Sequence, residues 1–431
     1  MEIRLPFSRE GMTLHLDEKL DFEVLESFIE SMPRESDSED EIVRKAMERP
    51  IGSPRLSELS AGKEKVVIIC SDHTRPVPSR HIIPFLLEEI REGNPDADIT
   101  LLIATGFHRA TTREELINKF GEETVAREKI VIHDSRDMAA ITNLGILPSG
   151  APLLVNRIAA EADLLVSEGF IETHFFAGFS GGRKSVLPGI SSQVTVLGNH
   201  CSAFIDSPKS RTGILEGNPI HRDMVAACKM AGLRYIVNVI IDSDKRIVHA
   251  VAGDAMEAHE AGCSFLREYC LVRPKRPADI AISTNGGYPL DQNMYQSVKG
   301  MTAAEAALKD GGILIMAAAC DDGHGGEGFY EALKNCESPQ ALMEEILKVP
   351  QDETKPDQWE YQIQSRILMH HRVIYVMCEE SRTMAEEMGF ETASDVNEAL
   401  SMALARKGPG AHITVIPDGV SVMVGKPEEP K

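Results

Sequence analysis

Short runs of aliphatic residues alternate along this chain with stretches of helical spacing, and run after run empties into a loop dense in glycine and polar side chains. Lys65–Cys70 (KVVIIC) is a β-branched run, and Ile82, Ile83, Leu86, Leu87 and Ile90 then recur at helical intervals across 81–91. The unit repeats with a strand over 98–105 and a helix over 111–120, capped by Thr111 or Thr112 with Glu114 and Glu115 in its first turn. Further strands are expected at 129–133, 163–167, 235–241 and 246–251, with helices over 157–162 and 255–266. This alternation predicts an open parallel sheet flanked by helices, a doubly wound α/β fold whose ligands bind beyond the carboxyl ends of the strands. Ahead of it, 2–5 and 13–16 read as a β-hairpin around the turn-forming 8–11, and the acidic segment Glu35–Glu41 begins a helix reaching Glu48.

The richest exit loop is 171–199, after the apolar run 163–167. Gly178, Gly181, Gly182 and Gly189 free its backbone to approach a ligand, and Arg183 and Lys184 lie among them. A phosphate-binding loop counted from Gly178 needs glycine where the chain has Arg183, which speaks against a nucleotide hydrolase. Two adjacent cations lower an amine's pKa, so Lys184 reads either as a nucleophile or attachment point, or, with Arg183, as a simple anion holder. The first exit loop, SDHTRPVPS, carries Asp72, His73, Thr74 and Arg75, and Pro76 keeps Arg75 out of helical geometry, as a fixed carboxylate fork requires. The second, ATGFHRA, carries His108. His174 and His200 bracket the central loop, so three histidines and two cationic elements converge on one sheet edge.

A chain of 431 residues exceeds one comfortable core, and two domains are expected, 1–271 and 277–431, parted at the proline-flanked cationic run 272–277. The second half restarts the alternation, with strands at 279–283, 312–318, 372–378 and 412–416 and helices at 301–308, 339–347, 358–369 and 396–405. That predicts a smaller doubly wound unit of about four parallel strands, giving two Rossmann-like domains with a cleft between them. Its first exit, NGGYPLDQNMYQSVKG, sets Tyr295, Gln296 and Lys299 on one turn of a starting helix. Its second, DDGHGGEG with His324, reads as a flexible glycine loop, and Trp359 reads as core packing. The 45 basic and 67 acidic residues give a net charge of −22, which argues against nucleic acid or an anionic membrane as partner. The eight cysteines form no CxxC pair and read as reduced thiols of a cytoplasmic protein, with neither signal peptide nor membrane span expected.

The segments SDHTRPVPS, ATGFHRA, EGFIETHFFAGFSGGRKSVLPGI, ISTNGGYPLDQNMYQSVKGMTAAEA, DGHGGEGFY and PDQW resemble, in order, the nickel-dependent lactate racemase family. The resemblance implies a nickel pincer nucleotide, pyridinium-3,5-bisthiocarboxylic acid mononucleotide, installed by cofactor-maturation enzymes and tethered through Lys184, with His200 as nickel ligand. His108 and His174 match the family's acid–base pair, flanking a stereocentre whose hydroxyl loses a proton as C2 gives hydride to the cofactor. Arg75 would clamp the substrate carboxylate, Gln296 and Lys299 would close over it, Tyr295 and Trp359 would wall the pocket, and Asp72 and Thr74 would support the cofactor side. Lactate or a similarly short 2-hydroxy acid is the expected substrate, while relatives sharing these motifs act on malate, phenyllactate or sugar acids. Outside the resemblance, the same residues would also serve an anion-binding protein without turnover or a pyridoxal enzyme using Lys184.

Overall fold

The strand Leu164–Phe170 is buried at every position, as a parallel strand covered by helices on both faces must be. In the computed structural model, which describes residues 1–32 and 37–427, it lies inside a six-stranded sheet. The spatial order is Ile247–Asp254, Leu233–Ile241, Leu164–Phe170, Lys65–Ser71, Asp98–Ala104, Lys129–Ile132. Every neighbouring pair is parallel except the first, where a short turn over 242–246 sends the chain straight back. The chain builds outward from Lys65–Ser71 in one direction and then returns to its other side with Leu164–Phe170. The order reverses between these two strands, and the crevice beyond their carboxyl ends is where the fold offers a site.

The second sheet also has six strands, all parallel: Glu391–Ala393, Arg372–Val376, Leu308–Ala317, Ala278–Thr284, His412–Ile416 and Asp21–Val24. The expected four are joined by a short edge strand and by Asp21–Val24 from the start of the chain. The hairpin Glu2–Leu5 and Met12–His15 belongs here too, packing Ile3, Leu5, Leu14 and Leu16 against Ile280, Ile313 and Ile374. The first domain therefore does not begin at residue 1, as the division 1–271 and 277–431 had it. Alternation within a hairpin marks its buried face but not the sheet that face will cover. Buried Glu23 ties this strand to the inter-domain run by accepting the Lys275 N–H at 3.0 Å.

Local chemistry explains several boundaries. Ser38 and Glu41 form a capping box, so the first helix is Glu39–Glu48; the earlier part of the acidic segment, Glu35 and Ser36, lies outside the described residues. Thr112 and Glu115 cap Arg113–Phe120 in the same way. The helix expected from 301 begins at Met294 and runs unbroken to Ala307, with Asn293 accepting the Gln296 N–H. Among the elements that carry no signal in the alternation are the hairpin Ile141–Ile146 with Pro152–Asn156, and the helix Pro219–Ala231 capped by Asn218.

Candidate active site

A cavity of about 570 Å³ opens at the reversal point of the first sheet and is closed on its other side by helices of the second domain. Asp72, Arg75, His108, His174, Lys184, His200, Tyr295, Gln296, Lys299 and Trp359 all line it. Thr74 is not among the lining residues and stands behind Asp72.

Asp72 leaves the strand Lys65–Ser71 into a tight turn in which the Arg75 N–H donates to its carbonyl at 3.2 Å. Its carboxylate is 1% exposed and accepts the Thr74 hydroxyl at 2.7 Å. Its other oxygen lies 2.7 Å from His108 Nδ1. Burial alone would raise the Asp72 pKa, but the hydrogen bond and charge of His108, with Thr74 and Arg75, outweigh it and hold the carboxyl below its ordinary value. A carboxylate that only accepts puts the ring proton of neutral His108 on Nδ1 and leaves Nε2 as the basic nitrogen. Behind the turn, Lys119 Nζ donates to the Arg75 carbonyl at 3.0 Å and fixes the backbone from which Arg75 reaches the cavity. His73 turns the other way, its Nδ1 3.0 Å from the Thr111 hydroxyl.

The central loop starts as Leu164–Phe170 ends. A two-residue pairing of Thr173–His174 with Gly178–Phe179 bends the chain, and the Ala177 N–H donates to His174 Nδ1 at 3.2 Å. Neutral His174 must then carry its proton on Nε2, the opposite arrangement to His108. Its ring stacks on Phe175 and meets Phe176 edge-on, with centroids 5.0 and 4.5 Å away. Burial, and after it the charges of Lys184, Lys299 and Arg75, hold its pKa well below the usual imidazole value.

Arg183 and Lys184, neighbours in sequence, part company in space. Arg183 is 0% exposed and faces away from the cavity, donating to the carbonyls of Ala177 (2.7 Å), Gly181 (3.2 Å) and Ser180 (3.3 Å) and to His221 Nδ1 (3.1 Å), with His259 Nε2 3.0 Å off. It knots the loop and does not hold a ligand jointly with Lys184. Gly182 makes the approach possible: its φ is +50°, and a Cβ there would lie 2.7 Å from the His259 ring. Lys184 reaches the cavity, and burial, then Arg75 and Arg183, push its amine well below the usual lysine value.

His200 ends the helix Gln193–Asn199 and is 6% exposed. Burial and Lys184 push its pKa down to about 3 against a weaker pull from the Val196 backbone, and no hydrogen bond of good geometry reaches its Nδ1 among the described residues. A buried neutral imidazole with a free ring nitrogen suits a borderline transition metal. Among the described residues no three His, Cys, Asp or Glu side chains gather to hold a metal by themselves.

The second domain supplies the opposite wall. Lys299 Nζ donates to Gln296 Oε1 at 2.6 Å, and burial followed by the Arg75 charge lowers its pKa. Trp359 stands edge-on to His200 at 5.2 Å and 6.3 Å from Phe107, so it lines the site and is not plain core. The glycine loop expected to be flexible instead holds a helix start in place. Its Gly323 and His324 carbonyls accept the N–H groups of Met294 and Tyr295 at 3.1 and 3.0 Å, capping the helix that carries Lys299. Sequence reasoning missed Phe107, Glu168, Phe176 and Glu360, which also line the cavity. Glu168 is the last polar residue of the central strand, where position alone was a signal; Glu360 sits one place after Trp359 on a helix read as packing.

Two domain families match the chain, the lactate racemase N-terminal domain over residues 7–213 and the lactate racemase C-terminal domain over 273–424. The lactate racemase of Thermoanaerobacterium thermosaccharolyticum is 57% identical over 90% of this chain and 91% of that protein. This chain belongs to the lactate racemase family. The lactate racemase of Lactiplantibacillus plantarum is 54% identical over the same shares. The solved structure of the Thermoanaerobacterium lactate racemase apoprotein superposes with a TM-score of 0.95, at 52% identity, covering 99% of this chain and all of that one. A Thermotoga maritima protein of 18% identity and TM-score 0.64, covering 90% and 98% of the two chains, shares the fold alone. In this family member the two domains are also tied outside the cavity: Gln351 donates to the Gly198 carbonyl at 2.8 Å and Gln362 to that of Ser202 at 2.9 Å.

Proposed function

We propose that this chain interconverts D- and L-lactate, with Lys184 as the attachment point of a nickel pincer nucleotide and His200 as its protein ligand to nickel. The observation carrying this reading is that His108 Nδ1 faces the Asp72 carboxylate while His174 Nδ1 faces the Ala177 N–H, both in one cavity with Lys184 and His200. The residues suit the group: a buried amine depressed toward its neutral form can be acylated near neutral pH, and a buried imidazole with an unpartnered nitrogen can take a metal whose other ligands come from the nucleotide. When bound, that cofactor supplies a reversible two-electron acceptor for C2 of the substrate.

The chain's own residues do the rest. Arg75 grips the substrate carboxylate in a fork, and Lys299 with Gln296 approaches from the second domain. His108 Nε2, its ring held by Asp72, takes the C2 hydroxyl proton. His174, donating a hydrogen bond from Nε2, stabilises charge on the same oxygen from its own side, and the imidazolium of His108 returns the proton it took when the planar 2-oxo acid is reduced on its other face. Tyr295 and Trp359 wall the pocket, and closure of the domains keeps water from releasing the oxo acid. Asp72 and Thr74 serve the cofactor side through the ring of His108. The enzymes that build the cofactor are its partners, and eight free cysteines fit a cytoplasmic setting.

The test is holoenzyme made together with the cofactor-building enzymes and given enantiopure lactate, malate or phenyllactate, with products resolved by chiral chromatography. Lactate is expected to racemise fastest. Faster turnover of a bulkier acid moves the substrate, and a borohydride-trappable aldimine at Lys184 in place of a nickel- and sulfur-bearing adduct overturns the chemistry.

A further inference from the structure

Glu360 has no part in the reaction just outlined, yet it sits in its wall. The side chain is 1% exposed, lines the cavity with Arg75 and Lys299, and leaves Oε2 without a hydrogen-bond partner among the described residues. Lys299 is within electrostatic reach, but its ammonium donates to Gln296 Oε1, and among the described residues no ion pair of 4.0 Å or less joins it to Glu360. A buried carboxyl with neither a closed ion pair nor donors around it favours its neutral form. An ionised one here would set like charge against an arriving substrate carboxylate where little water screens it.

We propose that Glu360 is a further substrate-binding residue that meets the 2-hydroxy acid as a neutral carboxylic acid, donating its O–H to the substrate carboxylate beside Lys299 and Arg75. This rests on the reading that Lys299 and Arg75 receive that carboxylate. Burial raises the Glu360 carboxyl well above the usual carboxylate range, with Lys299 drawing it down and Asp357 adding to the rise. The groups facing the pair are Tyr295 and Asp357 from the second domain and Arg75, Glu172, His174 and Lys184 from the first. Their balance leaves a donor at neutral pH, and the donor is lost as pH rises past the Glu360 titration.

Three holoenzyme variants decide it. Glu360→Gln copies the neutral acid and keeps a donor, so its KM for lactate at pH 7 is expected to stay within about threefold of wild type, while Glu360→Ala raises KM about tenfold. The infrared difference spectrum on adding lactate should show a perturbed protonated-carboxyl stretch in wild type and none in Glu360→Gln. A Glu360→Gln enzyme as impaired as Glu360→Ala, a KM that falls in Glu360→Gln, or the absence of the protonated band overturns the proposal. Lys299→Gln separates the two readings: an unchanged KM there removes the carboxylate docking itself, whereas a raised KM beside a missing band removes only the role of Glu360.

Discussion

The pair that most needs explaining is Asp72 and His108, thirty-six positions apart and joined at 2.7 Å. Each was legible as the occupant of a strand-exit loop, because open parallel sheets present ligands to those loops. Their contact was not, since it depends on Lys65–Ser71 and Asp98–Ala104 being neighbours in register. Asp72→Asn keeps the shape but can donate to Nδ1, which moves the ring proton to Nε2 and blocks the base. The expected loss is on the order of 10³-fold in kcat with nickel content unchanged, read by steady-state kinetics and metal analysis. Arg183 is the opposite case. Adjacency to Lys184 suggested a shared ligand, but the short turn that points Lys184 into the cavity buries Arg183 on its other side, and buried guanidinium donors go to the nearest carbonyls. Arg183→Lys cannot span the same acceptors, so a stability loss of about 3 kcal/mol in urea unfolding is expected.

At the scale of elements, the site is built from ends. The exits of strands bring Asp72, Arg75, His108 and His174, one short helix ends at His200, and one long helix begins with Tyr295, Gln296 and Lys299. That helix start was readable from the i, i+3 and i+4 spacing of its polar residues, though its full length was not, because its apolar face is mostly alanine, methionine and glycine and gives a weak stripe. Its N-terminus is held by Asn293 and by the carbonyls of the loop containing Gly323 and His324. Removing the cap in Asn293→Ala is expected to cost about 1 kcal/mol of stability. Because the freed turn carries Lys299, KM for lactate should rise by more than kcat falls. Equal changes in the two, measured at several lactate concentrations, would separate the cap from substrate docking.

For the molecule as a whole, burial has been imposed on several imidazoles that the reaction does not use. Burial lowers the pKa of His133 and His259, and pushes that of His221 down to about 4. In the unfolded chain each of these titrates near 6.5, so between that value and about pH 4 the unfolded state binds more protons than the folded one. Stability is therefore full above pH 6.5 and declines as pH falls through that window. Thermal unfolding followed from pH 7.5 down to 4.5 should show a steadily falling midpoint, and His221→Gln should flatten the fall. The sequence alone set the two mostly parallel sheets, the loops that face ligand, and Asp72, Arg75, His108, His174, Lys184 and His200 as the polar residues at one sheet edge, because those depend on local periodicity and on where strands end. Only the packed molecule settles that Asp21–Val24 completes the second sheet, that Arg183 is buried behind the loop while Lys184 faces the cavity, that the Nδ1 atoms of the two histidines meet opposite partners, and that Glu360 is in the wall at all. Each of these depends on which surfaces meet across long stretches of chain, and a buried polar group takes its chemical state from the partners it finds there.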